Sequence, residues 1–340
     1  MKQILKYLAI FFMIGTIITV SALYFIDDYI YSLNNTNIYN VATKKSELSV
    51  TKTSNIVLPE GVNDVEYSYD NKYYTYLLDG VVYINSLTDG TNVSKIEEKS
   101  KICYYKLLYD KNLIIYFVED KTNTTSKISL KRYSIDSKQS DEFNKFTIQN
   151  FSKIKSLEMS PVINIIYFNV ETKRGNVKSD TLYRADLFNN MSKVTSNYII
   201  DKLVMLQHKD KLYFEDKDGN VYYSNSKLNL FKEKVDVIGI DKDDSIYFIS
   251  RTTKSKVYKV QNNSIVDTIE LKDNKVISTY SNMEGIYLIY DNYVINLINN
   301  KDQKAGRLSK YVKFDAIKSD IMYFRISDNI ILKSKLNIAS

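Results

Sequence analysis

An apolar-Tyr-aromatic run, a turn and a second run of the Val-Tyr type recur along this chain, and a strand repeat of roughly forty residues predicts an all-β propeller. The pattern is plainest at Leu212-Tyr213-Phe214, Asp218-Gly219 and Val221-Tyr222. Its first half returns at Tyr74, Tyr116, Tyr167, Tyr213, Tyr247, Tyr287 and Tyr323, with gaps of 42, 51, 46, 34, 40 and 36 residues. Composition agrees, since thirty Tyr with abundant Ile and Val suit a pleated, half-buried surface. With nine Gly and two Pro, the turns fall to Asn, Asp, Ser and Lys, and Asn and Asp tolerate left-handed backbone angles.

The first element is the N-terminal one. Lys2 and Lys6 precede an uncharged stretch, residues 7–26, which Asp27-Asp28 closes. Twenty residues at about 1.5 Å each span about 30 Å, the thickness of a bilayer's hydrocarbon core. No polar stripe marks the stretch as a buried helix of a soluble protein, so it predicts a single transmembrane signal-anchor helix. Lysines before it and acids after it place residues 1–6 in the cytoplasm and the rest outside. Cleavage near Ala22 and secretion is the alternative, because Val20-Ser21-Ala22 offers small residues to a signal peptidase. The apolar stretch continues through Leu23-Tyr24-Phe25-Ile26, which favours the uncleaved anchor. No Cys lies in or just after it, which excludes a lipoprotein anchor. Residues 27–46 read as a polar stalk and residues 47–340 as the propeller.

One blade can be spelled in full. Val235 to Ile240 is a first strand, Asp241 to Asp244 a turn, and Ser245 to Ile249 a second strand. Lys256 to Val260 and Ser264 to Ile269 complete the four. Counting the tyrosine hairpins gives seven blades, with six or eight as the alternatives. Asp120 to Ser126 and Glu171 to Asp180 read as extended hairpin loops and not as extra blades. Only seventeen residues follow Tyr323, too few for a full blade. The run Asn55-Ile56-Val57-Leu58, within Glu47 to Leu58, is expected to supply the missing strand and remove an exposed sheet edge.

A net charge of +7 with both signs interleaved offers no basic block for nucleic acid. Cys103 is the only cysteine, so no intrachain disulfide forms, and its apolar run predicts an inert buried thiol. His208, the only histidine, has no paired nucleophile and reads as a surface-turn residue. One His and one Cys fall short of a zinc site. Asp216, Asp218 and Asn220 hint at a calcium loop but lack the downstream Glu, and a hairpin turn explains them better. Asp241, Asp243 and Asp244 read the same way. Asp70, Asp110, Asp210, Asp243, Glu284 and Asp320 recur near first-to-second strand turns, where Asp is favoured for its own sake. No catalytic pair, cofactor site or metal site stands out among them. The repeated tyrosines are expected to pack between blades, with Tyr73, Tyr290 and Tyr293 as candidates for exposure.

With its Ile-Tyr-Phe and Val-Tyr hairpins, the chain resembles the extracytoplasmic propellers of exported Gram-positive bacterial proteins, which are similar in turn to TolB-like and YWTD-type propellers. Tyr73-Tyr74-Thr75-Tyr76 echoes the YWTD signature and Met159-Ser160-Pro161 the Ser-Pro-Asp turn of TolB-like blades. The Trp-Asp pair of WD repeats is absent, as the chain has no Trp. The resemblance implies a fold and an export route and carries over no site residues. The function expected is a membrane-anchored extracellular module that binds or scaffolds a protein, peptide or glycan, without catalysis. The alternatives are a carbohydrate-active enzyme using channel carboxylates and an accessory or sensor subunit of a membrane complex.

Overall fold

Runs such as Ile114-Ile115-Tyr116-Phe117 lack the apolar-polar alternation of a half-exposed strand because they lie between two sheets and are buried on both faces. The computed structural model describes residues 56–160, 162–272, 275–282, 284–290, 293–298, 301–304, 313–318, 321–325, 330–335 and 337–338. The anchor at 7–26, the stalk at 27–46, the stretch from Glu47 to Asn55 and Asp320 lie outside the described residues. Among the described residues no helix is long and apolar enough to cross a membrane.

Seven antiparallel sheets follow one another among the described residues, so the blades number seven. They are numbered here by their innermost strands: Val65–Tyr67, Lys101–Leu107, Phe151–Ser160, Ile200–Met205, Val235–Ile240, Ser278–Asn282 and Lys313–Lys318. Each innermost strand contacts those of the neighbouring blades, and blade 7 meets blade 1, which closes a ring around a central axis. The blade read from Val235 onward has its later strands at Ile246–Ser250, Lys256–Gln261 and Ser264–Glu270, within one residue of expectation.

Burial falls from the axis-proximal strands outward. Second strands such as Leu212–Asp216, Ile246–Ser250 and Gly285–Ile289 are buried at every position, whereas the outermost strand Ser264–Glu270 is almost wholly exposed. Aromatic side chains bind one blade to the next. Phe117 of blade 2 lies 5.1 Å, centroid to centroid, from Phe168 of blade 3. Burying one such ring stabilises the fold by about 1.5–3 kcal/mol.

All seven repeat tyrosines are buried, as expected. Several also latch blades together through the hydroxyl. Tyr167 of blade 3 donates to Asp210 of blade 4 at 2.8 Å, and Tyr213 of blade 4 donates to Asn263 of blade 5 at 2.5 Å. Tyr323 of blade 7 donates to Asn71 of blade 1 at 2.9 Å.

Ring closure follows the expected plan. Ile56–Val57 pairs with Ile330–Lys335 (Ile56 with Ile331, Val57 with Ile330) and is the outermost strand of blade 7. Arg325 reinforces the seam. It pairs with Asp315 at 3.0 Å and donates to the Val62 and Asn63 carbonyls at 3.2 and 2.7 Å. A further strand, Asn337–Ile338, was not foreseen; it adds to the outer edge of blade 6 at Lys301–Lys304.

One expectation needs correcting. Asp120 to Ser126 and Glu171 to Asp180 add no blade, but neither is a loop. The ladders run unbroken to Thr122–Thr125 and Arg174–Val177, leaving two-residue turns at Asn123-Thr124 and Gly175-Asn176. Asn123 and Gly175 adopt φ of 44° and 61°, the left-handed geometry that matches a tight turn to the strand twist.

Candidate functional site

The innermost strands carry charges into the middle of the ring. Glu66, Lys106, Glu158, Lys202 and Lys318 come from blades 1, 2, 3, 4 and 7. Each has a buried apolar neighbour in the chain, such as Val65, Leu107, Leu157, Leu203 or Ile317. Strand alternation turns adjacent side chains to opposite sides, so the charged member points away from its neighbour's packing.

The charges form a partly matched set. Lys106 Nζ stands 3.3 Å from Glu66 Oε1, and Glu66 Oε2 accepts the Leu107 amide at 2.8 Å. The pull of Glu66 holds the Lys106 ammonium above its ordinary range, against burial. Lys202 Nζ donates to the Ile238 carbonyl at 2.6 Å, and burial lowers its pKa despite Glu158 nearby. Burial pushes the Glu158 carboxyl up to about 7, opposed by Lys106 and Lys202. Lys318 is pulled down by burial, with Lys106 adding to the effect and Glu66 opposing it.

Water reaches this cluster. Lys106 and Glu66, though deep among the blades, keep 37% and 23% of their side chains exposed. A cavity of about 500 Å³ opens beside Glu66 and is lined also by Asp64, Tyr104, Lys155 and Phe314.

A second candidate surface lies on the ring face formed by the first-to-second and third-to-fourth strand turns. Tyr69, Val162 and Phe188 are exposed there, and Phe188 is 85% exposed. The Phe188 turn is nonetheless fixed. Asp186 Oδ1 accepts the Phe188 and Asn190 amides at 2.9 and 3.0 Å, and Asp186 Oδ2 accepts Asn190 Nδ2 at 2.8 Å.

The same device accounts for both suspected calcium loops. Asp216 Oδ1 accepts the Asp218 and Asn220 amides at 3.0 and 2.9 Å, and Asp241 Oδ1 accepts those of Asp243 and Ser245 at 3.0 and 2.8 Å. Their other oxygens accept Tyr222 and Tyr247 hydroxyls, each at 3.2 Å. These carboxylates are consumed in shaping turns.

The turn-side carboxylates do not converge. Asp70 accepts from Ser68 at 2.7 Å and from Asn112 at 3.2 Å, and these bonds outweigh burial to lower its pKa. Asp110 pairs with Lys111 at 3.7 Å, and Asp210 with Arg184 at 2.8 Å. Asp244 Oδ1 accepts the Gln207 amide at 2.5 Å, tying blade 5 to blade 4. Glu284 lies in the blade 6 turn, and its charge acts on Lys318.

His208 lies in a surface turn with Nδ1 3.4 Å from Asp244 Oδ2. Cys103 is half-buried, donates to the Phe117 carbonyl at 3.5 Å, and has its thiol pushed up to about 12 by burial. It is an inert thiol at neutral pH. Tyr73 and Tyr293 are partly exposed, but Tyr290 is not. It stacks on Tyr293 at 4.3 Å and is buried between blades 5 and 6, which corrects the expectation of exposure.

Sequence reasoning did not single out the axial residues. Lys106 and Glu158 each have apolar neighbours in the chain, but so does any solvent-facing residue of an alternating strand.

No protein-family model matches the chain, and no curated protein matches it. Among solved structures the chain is similar to Sqt1 of Saccharomyces cerevisiae at 9% identity, over 81% of this chain and 84% of that one, with a TM-score of 0.48. It is also similar to a chain of the mitotic checkpoint complex at 10% identity, over 88% of this chain and 100% of that one, with a TM-score of 0.50. At such identities the likeness concerns the fold alone. The chain is a seven-bladed β-propeller, a fold that does not by itself fix a function.

Proposed function

We propose that this chain is a membrane-anchored extracellular scaffold that presents the turn face of its propeller to a protein partner and performs no catalysis. The observation that carries the reading is Phe188, an aromatic ring left in water on a turn locked by Asp186. Exposed aromatic anchors on a rigid base lose little entropy on binding. Residues 7–26 tether the propeller, with residues 1–6 in the cytoplasm, and its relatives are the exported Gram-positive propellers that its hairpins resemble. Peptide and glycan ligands are the alternative partners, and nucleic acid is not one.

A photo-crosslinker at position 188 of the full chain, in intact cells, tests the reading. One discrete adduct is expected there and none at position 177, on the opposite edge of the same blade. Equal labelling at both, or at neither, overturns it. Protease added to intact cells is expected to digest the propeller, and full protection would rule out an extracellular location.

Glu158 is what favours the enzymatic alternative, because a carboxyl near 7 suits a general acid. Glycoside hydrolysis needs a second carboxylate. Glu66, its neighbour in the axis, is held by Lys106 and the Leu107 amide, which leaves the binding role better supported. Hydrolysis of a glycan by the full chain, abolished by Glu158→Gln, would replace the scaffold reading.

A further inference from the structure

We propose that the tip of the long blade 3 hairpin is a docking surface for a phosphate-rich polyanionic chain, held by Lys153, Lys173 and Lys178 on the side of the hairpin turned towards blade 4. The surface belongs to the second-to-third strand turns, on the ring face opposite Phe188, and stands whether or not Phe188 binds a protein.

The hairpin is longer than its blade requires. Ile165–Arg174 and Val177–Asp186 have ten residues each, whereas the second strands of blades 4 and 5, Leu212–Asp216 and Ile246–Ser250, build the same ring with five. Asp180 marks the level at which blade 4 stops. Its Oδ2 accepts the Ile200 amide at 2.7 Å, and Ile200 pairs with Asp216 at the end of the blade 4 ladder. Asp180 itself pairs with Glu171, and the Lys173–Lys178 pair lies two rungs further out, past the end of that ladder. Paired side chains share one side of a sheet, and Leu182 and Tyr198 on this side pack with blade 4. Arg174 and Val177 alternate to the other side and take no part.

These outer rungs carry an excess of positive charge. Lys173 and Lys178 stand directly opposite each other, an arrangement of like charges that works against the hairpin. Lys153, opposite Glu171 on the neighbouring strand, adds a third ammonium to the same side. All three lysines are exposed. Glu171, the acid among them, is buried, accepts the Ser152 hydroxyl at 2.8 Å and lies 3.5 Å from Lys178. Among the described residues Lys153 and Lys173 have no ion pair and no side-chain hydrogen bond. The equally long blade 2 hairpin is balanced, with Asp120 opposite Lys127 and Glu119 beside them. On blade 4, Lys217 and Asp218 offset each other, and Asp201 is drawn to Arg251 of blade 5 at 3.9 Å. Opposed positions on such a ladder stand about 5 Å apart, so one chain of closely spaced anions can engage all three lysines. Phosphate is the group recognised, because the exposed aromatics Tyr69 and Phe188 belong to the other ring face and nothing exposed here stacks on a base or a sugar.

The test is fluorescence anisotropy of end-labelled polyphosphate titrated with the full chain in detergent, at neutral pH and low ionic strength. Saturable binding that weakens as salt rises is expected. The triple variant Lys153→Gln, Lys173→Gln, Lys178→Gln is expected to weaken binding at least about tenfold and to flatten its salt dependence. A control triple in blade 2, Lys121→Gln, Lys127→Gln, Lys145→Gln, removes the same charge and is expected to weaken it less than about threefold. Equal weakening by the two triples assigns the binding to the net charge of +7 and overturns the site, as does the absence of saturable binding. Displacement of the chain by inorganic phosphate at equal total phosphate also overturns it, since a lone ion would then suffice. Should the triple fail to fold because Glu171 has lost Lys178, the double variant Lys153→Gln, Lys173→Gln still decides, and unchanged affinity in it overturns the proposal.

Discussion

Glu158 and Tyr167 face each other at one ladder position of blade 3, yet they belong to different environments. Tyr167 sits in a second strand, packed by blades on both sides, with its hydroxyl latched to the next blade. Glu158 sits in an innermost strand, where one side of the backbone has no further strand and the side chain reaches a wet axis. The second strands form a buried ring dominated by apolar and aromatic side chains, and charged members such as Glu215 and Arg325 are held there by ion pairs. The axis is free of that demand for apolar packing, so blades 1 and 3 bring a glutamate to it and blades 2, 4 and 7 a lysine. Sameness among blades reports packing, and difference among them reports the site.

Truncation separates the two rings most sharply. Phe168→Ala, in a fully buried cluster, is expected to cost about 4 kcal/mol in urea unfolding. Lys106→Met, whose side chain already meets water, is expected to cost less than about 1 kcal/mol. Similar losses for both would break the distinction. Arg325→Met comes next. It leaves Asp315 buried without its guanidinium and frees the Val62 and Asn63 carbonyls, a loss of about 3 kcal/mol by thermal melting.

The axis should also show itself in pH dependence. The Glu158 carboxyl in the folded chain titrates near 7, against an ordinary value of 4.5. Between those values the folded state holds a proton that the unfolded state has lost, so stability falls as pH rises from 4.5 towards 7. Allowing for water in the axis, the loss is about 1–2 kcal/mol. Glu158→Gln is expected to flatten that slope in melts across the range, and an unchanged slope would assign it to other groups. The smallest effect tests one latch. Tyr167→Phe removes the bond to Asp210 while keeping the ring, at about 1 kcal/mol.

The buried ring was legible in the sequence because continuous apolar runs around Tyr116, Tyr213 and Tyr247 can only be strands buried on both faces. The closing strand was legible too, since Ile56-Val57 had apolar character and no other partner in the repeat. The axial charges were not, because Lys106 and Glu158 look like any surface residue until the ring brings five innermost strands together. Turn carboxylates such as Asp216 and Asp241 mislead for a related reason. A residue that caps its own turn and one that binds a metal use the same atoms, and only the amide partners tell them apart. Asn337–Ile338 left no trace because a two-residue strand has no period to read.

The pairing of Ile56-Val57 with Ile330-Ile331 sets the order in which the molecule can be completed. Arg325 and Val62 meet across 263 residues of chain, and Tyr67 reaches Asp315 across 248. Blade 1 is the first to leave the ribosome, but its free flank stays bare until the final strands have followed. Successive blades are able to stack as they emerge, each on the one before, while the seam waits for the last. A chain cut off after blade 6 would therefore display an open arc with two unpaired flanks, and the contacts of highest sequence separation are those that join the oldest part of the chain to the newest.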